Sequence, residues 1–181
     1  MNLPNKLATL RMLLIIPFVI IMGIALGTEN KPLEITLRII SFIIFVGASV
    51  TDYYDGKIAR KYNLVTNLGK LLDPLADKLL VISALVVLTK YGKINLWIVL
   101  IIIFRELLIT GLRSIAAAEG VVIAAETLGK LKTVTQMVAL SLIILIPLRY
   151  TVNNILLLLP LILTVLSGLE YMIKSKDVLS K

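Results

Sequence analysis

Residues 34–54 read EITLRIISFIIFVGASVTDYY, and no charge interrupts them between Arg38 and Asp52. At 1.5 Å per residue, a helix of this length crosses a hydrocarbon core about 30 Å thick. Five further runs share this character: Leu10–Gly27, Leu71–Leu88, Asn95–Ala117, Gly129–Arg149 and Val152–Ile173. Pro17 interrupts the first, which a membrane helix tolerates when neighbours re-satisfy the freed carbonyl. The 181 residues are 59% hydrophobic and their mean hydropathy is +0.98, whereas a soluble domain is about 45–50% apolar. The expected fold is all-α, a polytopic membrane protein with six transmembrane helices. No linker, low-complexity tract or internal repeat divides the chain, so residues 1–181 read as a single domain.

The first run also has the outline of a secretory signal. Lys6 and Arg11 precede it, and Ala25-Leu26-Gly27 loosely resembles a cleavage site. Gly23 and Gly27, however, form a G-x-x-x-G spacing suited to close helix packing. The segment is therefore expected to be retained as the first helix.

The formal charge of +8 is spread among apolar runs. That pattern fits positive-inside topology and anionic headgroups better than nucleic acid, so no nucleic-acid partner is expected. With the N-terminus inside, one side carries Lys6, Arg11, Lys57, Arg60, Lys61, Lys70, Lys78, Lys130, Lys132 and the C-terminal lysines, while the other keeps Lys31, Arg38, Lys90, Lys93 and Arg149. The expectation is a multi-pass protein of the cytoplasmic membrane, with both termini and the active site on the cytoplasmic side.

The chain contains no cysteine and no histidine. Disulfides, thiol nucleophiles, Cys/His zinc sites and phosphohistidine intermediates are excluded, and any bound metal must take oxygen ligands. Four of the five aspartates, Asp52, Asp55, Asp73 and Asp77, fall within 26 residues. They sit at the inner ends of the second and third runs, which a short connection makes antiparallel neighbours. Spacings of i,i+3 and i,i+4 place each pair on one helix face. Four carboxylates facing one another at low dielectric need cations or protons, and hard divalent ions suit them. Simpler readings are open: Asp73 before Pro74 resembles an N-cap, and Asp55-Gly56 resembles a turn. A divalent-cation transporter would also carry intramembrane aspartates. Transport, though, calls for polar groups across the full depth, and Ile39–Val50 and Leu79–Leu88 are almost wholly apolar.

The residues around the aspartates read D-x-x-D-G-x-x-A-R-x8-G-x3-D-x3-D from Asp52 to Asp77. This resembles the signature of the CDP-alcohol phosphotransferase family at every fixed position, a coincidence on the order of 10⁻¹⁰ per start site at average residue usage. The resemblance implies six membrane helices, a homodimer, two divalent ions (Mg²⁺ or Mn²⁺), and transfer of a phosphatidyl or related group from a CDP-linked donor to an alcohol with release of CMP. Carried over by motif position, Asp52, Asp55 and Asp73 are metal ligands, and Asp77 joins the metal site and acts as general base. Gly56, Ala59 and Gly69 let the cytidine diphosphate approach, and Arg60 contacts the diphosphate. Ordinary helix packing for Gly56 and Gly69, and a positive-inside anchor for Arg60, are the alternatives.

The acceptor is read from the fourth and fifth runs. Glu106, Thr110 and Arg113 share a helix face, Arg105 lies beside it, and Lys130 at the start of the next helix could converge with them. Such a basic pocket suits an acceptor that carries its own phosphate. The alternative has Arg105 pairing with Glu106 to lock helices together; Lys132 is expected to meet lipid headgroups. Asn2-Leu3-Pro4-Asn5 with Thr9 and Arg11, together with Arg105-Glu106, Gly129–Thr133 and Gln136-Met137, resembles the branch of the family that uses sn-glycerol 3-phosphate. The implied reaction joins CDP-diacylglycerol to sn-glycerol 3-phosphate. Phosphatidylglycerol, giving a cardiolipin-type product, is the nearest other acceptor.

Overall fold

A computed structural model describes the backbone over residues 3–61, 67–118 and 127–174, and side chains over 9–51, 75–76, 78–116 and 127–173. The described residues form six helices: α1 (Leu3–Gly27), α2 (Lys31–Lys61), α3 (Asn67–Lys90), α4 (Leu96–Ala118), α5 (Thr127–Leu145) and α6 (Tyr150–Lys174). There is no strand among the described residues. Among the described residues four stretches are long and apolar enough to cross a membrane: Thr9–Gly27, Lys31–Thr51, Thr127–Leu145 and Tyr150–Ile173. α4 is otherwise apolar but carries three charges in its span, Arg105, Glu106 and Arg113, and much of the first half of α3 lies outside the described side chains. The chain is an all-helical membrane protein.

The helix ends follow from local chemistry. Asn30 caps α2, its Oδ1 accepting from the Leu33 N–H at 3.3 Å, and Glu34 in the first turn faces the positive end of the helix dipole. Gly92, at φ +62°, ends the chain's run out of α3 in a left-handed conformation that glycine adopts without strain. Asn95 caps α4 by accepting from the Trp97 N–H at 2.8 Å.

α2 continues through Asp55-Gly56 to Lys61, so the turn reading there does not hold. α3 begins at Asn67, well before Asp73, so that residue is not an N-cap. Both aspartate pairs therefore lie on regular helix.

Two compact units divide the chain: residues 1–91 with 141–147, and residues 92–140 with 148–181. In the first unit α1 packs along both α2 and α3, while α2 and α3 meet only briefly among the described residues. The core of this unit includes Phe18, Met22, Ala25, Phe45 and Leu85, all fully buried. On α1 the opposite face exposes Leu13, Ile16, Ile20 and Ile24. An apolar face left outside is what a bilayer-embedded helix requires, since lipid solvates it as well as protein does. Among the described residues Gly23 and Gly27 do not receive another helix backbone; each faces the Tyr91 side chain, which a Cβ would meet at 3.5 Å (its hydroxyl) and 3.4 Å (its ring).

Arg38, counted in the sequence among the outer-side charges, is buried. It is 3% exposed, its Nε donates to Glu34 Oε1 at 3.0 Å, and its Nη1 donates to the Ile143 and Ile144 carbonyls at 3.1 and 3.0 Å. Those carbonyls close α5 and would otherwise lack partners. Arg38→Met leaves the buried Glu34 carboxylate with only the exposed Lys31 and the α5 carbonyls without a partner, and is expected to cost about 3–5 kcal/mol. Lys31→Met removes only the exposed arm of the same cluster and is expected to cost under about 1 kcal/mol. Denaturant unfolding in detergent compares the two.

Candidate active site

In the first unit the aspartates are positioned by α2 and α3. Because both segments are helical, positions 52 and 55 fall on one face of α2, and positions 73 and 77 on one face of α3. The side chains of these four, and of Gly56, Ala59, Arg60 and Gly69, lie outside the described residues. Among the described residues no group of three or more acidic side chains is placed to hold a metal. The donor set of the aspartate helices fits a hard divalent cation: four carboxylates, two per helix face, in a chain without nitrogen or sulfur ligands of the His/Cys type.

Arg11 belongs to this end of the unit. It is 2% exposed, among the largest fully buried side chains. The Phe18 and Phe45 rings, 5.8 Å apart between centroids, fix the register of antiparallel α1 and α2. Arg11 lies two helical turns before Phe18, and Asp52 two turns after Phe45, each on the face of its ring. The two positions thus share a level along the bundle. In the sequence Arg11 counts as an inner-side charge and as part of the N-terminal resemblance. Its heptad spacing from Phe18 is the signal that marks it as inward-facing.

The second unit holds the basic residues of α4 and α5. Arg105, with its side chain 15% exposed, places Nη1 3.5 Å from Glu106 Oε1 and donates through Nη2 to Ser167 Oγ on α6 at 2.8 Å. Glu106 also accepts from Lys132 Nζ, and its backbone carbonyl accepts from Thr110 Oγ1 at 2.6 Å. The Arg113 guanidinium lies over the Tyr171 ring, 5.2 Å from its centroid. Lys130 is exposed and joins no ion pair among the described residues.

Of the three expected acceptor residues, then, Arg105 is ion-paired and hydrogen-bonded, Arg113 is stacked, and Lys130 is exposed. The pairing of Arg105 with Glu106, set beside the acceptor reading as an alternative, is present. Lys132 is 5% exposed and not a headgroup contact. It lies on the buried stripe of α5 with Gln136, Ala139 and Leu140, a helical periodicity legible in the sequence. Ser167, Gly168 and Tyr171 on α6 were missed, because no charge or motif marks them.

Comparison with known proteins adds an independent line. A model of the CDP-alcohol phosphatidyltransferase family matches residues 1–166. A Bacillus subtilis (strain 168) CDP-diacylglycerol–glycerol-3-phosphate 3-phosphatidyltransferase is 42% identical over 98% of this chain and 97% of its own length. A Rickettsia bellii protein of the same name is 41% identical, over 94% and 93%. A probable phosphatidylglycerophosphate synthase of Mycobacterium tuberculosis is 34% identical, over 96% and 81%. With the family model spanning most of the chain and the aspartate pattern complete within it, this protein belongs to the CDP-alcohol phosphatidyltransferase family.

Proposed function

We propose that this chain transfers the phosphatidyl group of CDP-diacylglycerol to sn-glycerol 3-phosphate, producing phosphatidylglycerophosphate and CMP for phospholipid biosynthesis. The observation that carries the reading is near-full-length similarity, at 42% and 41% identity, to relatives named for that reaction. The chain would act as one domain over residues 1–181, as a homodimer in the cytoplasmic membrane, with termini and active site facing the cytoplasm. The uneven distribution of lysine and arginine supports that orientation.

In this mechanism Asp52, Asp55, Asp73 and Asp77 hold two divalent ions, Mg²⁺ or Mn²⁺. When bound, such ions supply charge neutralisation at the donor diphosphate. Gly56, Ala59 and Gly69 leave room for the cytidine diphosphate, and Arg60 contacts its phosphates. Asp77 accepts the proton of the glycerol 1-hydroxyl as that oxygen attacks the lipid-side phosphorus, and the bond to CMP breaks. Arg105, Arg113 and Lys130 hold the acceptor phosphate, which orients the hydroxyl and raises its effective concentration.

Mass spectrometry of the lipid product, after incubation with CDP-diacylglycerol and either glycerol 3-phosphate or phosphatidylglycerol, tests the acceptor. Phosphatidylglycerophosphate is expected; cardiolipin as sole product would overturn the assignment. Arg113→Ala is expected to raise the KM for glycerol 3-phosphate about tenfold or more. An unchanged KM removes Arg113 from the acceptor site.

A further inference from the structure

Arg105 is a long cation in the middle of α4, and α6 makes much of its seat. Ser167 Oγ accepts from Nη2 at 2.8 Å while donating its own proton to the Thr164 carbonyl at 3.2 Å. The hydroxyl is thereby turned so that a lone pair faces the guanidinium. At the next residue the absence of a side chain matters. A Cβ on Gly168 would stand 3.2 Å from Arg105 Cγ and 3.5 Å from its Nε, so even alanine would press the arginine stem away from α6.

This seat leaves the guanidinium partly unused. Of its five N–H donors, one is taken by Ser167, and Glu106 lies at the long distance of 3.5 Å while also bonded by Lys132. The Nε is buried and has no hydrogen-bond partner among the described residues. A guanidinium serving only to lock helices would be expected to have its buried donors satisfied. One held firmly on its α6 side, where Nε is buried against Gly168, and with Nη donors left over suits an oxyanion ligand.

From this geometry we infer that Ser167 and Gly168 are positioning residues that orient Arg105 for the phosphate of the acceptor. The inference rests on the proposal that Arg105 contacts that phosphate, and it assigns α6 a part in acceptor affinity. Ser167 fixes the guanidinium by its hydroxyl, and Gly168 fixes the stem by its missing Cβ.

Steady-state kinetics of the full chain in detergent, varying each substrate in turn, test it. Ser167→Ala is expected to raise the KM for glycerol 3-phosphate about tenfold, with kcat and the KM for CDP-diacylglycerol within about twofold of the parent. Ser167→Thr, which keeps the hydroxyl, should restore most of the loss. Gly168→Ala should reproduce the effect; should that variant fail to fold, the serine pair carries the test alone. If Arg105→Lys raises the acceptor KM but Ser167→Ala does not, the positioning role is overturned and the acceptor reading of Arg105 stands. Should Arg105→Lys leave the acceptor KM unchanged, that underlying reading fails and the inference falls with it. Equal losses toward both substrates in Ser167→Ala, not restored by threonine, would mark a merely structural contact and also overturn the inference.

Discussion

Asp77→Asn is expected to lower kcat at least about 10³-fold, with the protein still folded. Two effects combine. Asparagine cannot take the proton of an alcohol whose pKa lies far above neutrality, and base catalysis alone contributes about 10²–10⁴-fold. The substitution also removes one anionic oxygen donor from a set whose chemistry is wholly carboxylate. Alternative bases are scarce, because the chain has no histidine and no cysteine. Near-normal turnover in Asp77→Asn would show that the proton leaves by another route. Single-turnover measurement of CMP formation separates this loss from any change in product release.

Chelation of divalent cations should have a comparably large effect. Stripping them is expected to abolish turnover by more than about 10³-fold, and Mg²⁺ or Mn²⁺ should restore it. A second readout does not depend on activity. A cation that binds only the folded protein at a hundred times its Kd adds about 2.7 kcal/mol of stability, and so raises Tm by roughly 5–10 °C for a chain of this size. Asp73→Asn should abolish most of that shift. Removing one of four mutually repelling carboxylates should also leave the metal-free protein as stable as its parent, or more so. A metal-free parent that turns over normally would contradict the assignment of all four aspartates.

The helices were legible because apolar runs long enough to cross a bilayer have few alternatives, and the Asp52–Asp77 pattern was legible because each fixed residue type is needed at its spacing. What sequence alone misplaced were charges. Arg38 was counted only as an outer-side charge and Lys132 was given to lipid headgroups, since counting basic residues to orient a membrane protein says nothing of burial. Both are buried, Arg38 by the α5 carbonyls it caps and Lys132 by Glu106. Their positions on buried helical stripes carried the signal, but a stripe does not say which partner makes a buried cation tolerable. The same limit applies to Gly23 and Gly27: their spacing announces a close approach, and only the fold shows that a tyrosine ring makes it. Ser167 and Gly168 carry neither charge nor motif, and their relation to Arg105 depends on how α4 and α6 pack.

CMP release by the purified protein, supplied with Mg²⁺ and CDP-diacylglycerol, tests the central claim most directly. The acceptors compared are glycerol 3-phosphate, phosphatidylglycerol, serine and inositol phosphate. Metal-dependent release with glycerol 3-phosphate alone is the predicted result. Release with a different acceptor, or none from demonstrably folded protein, would contradict the account.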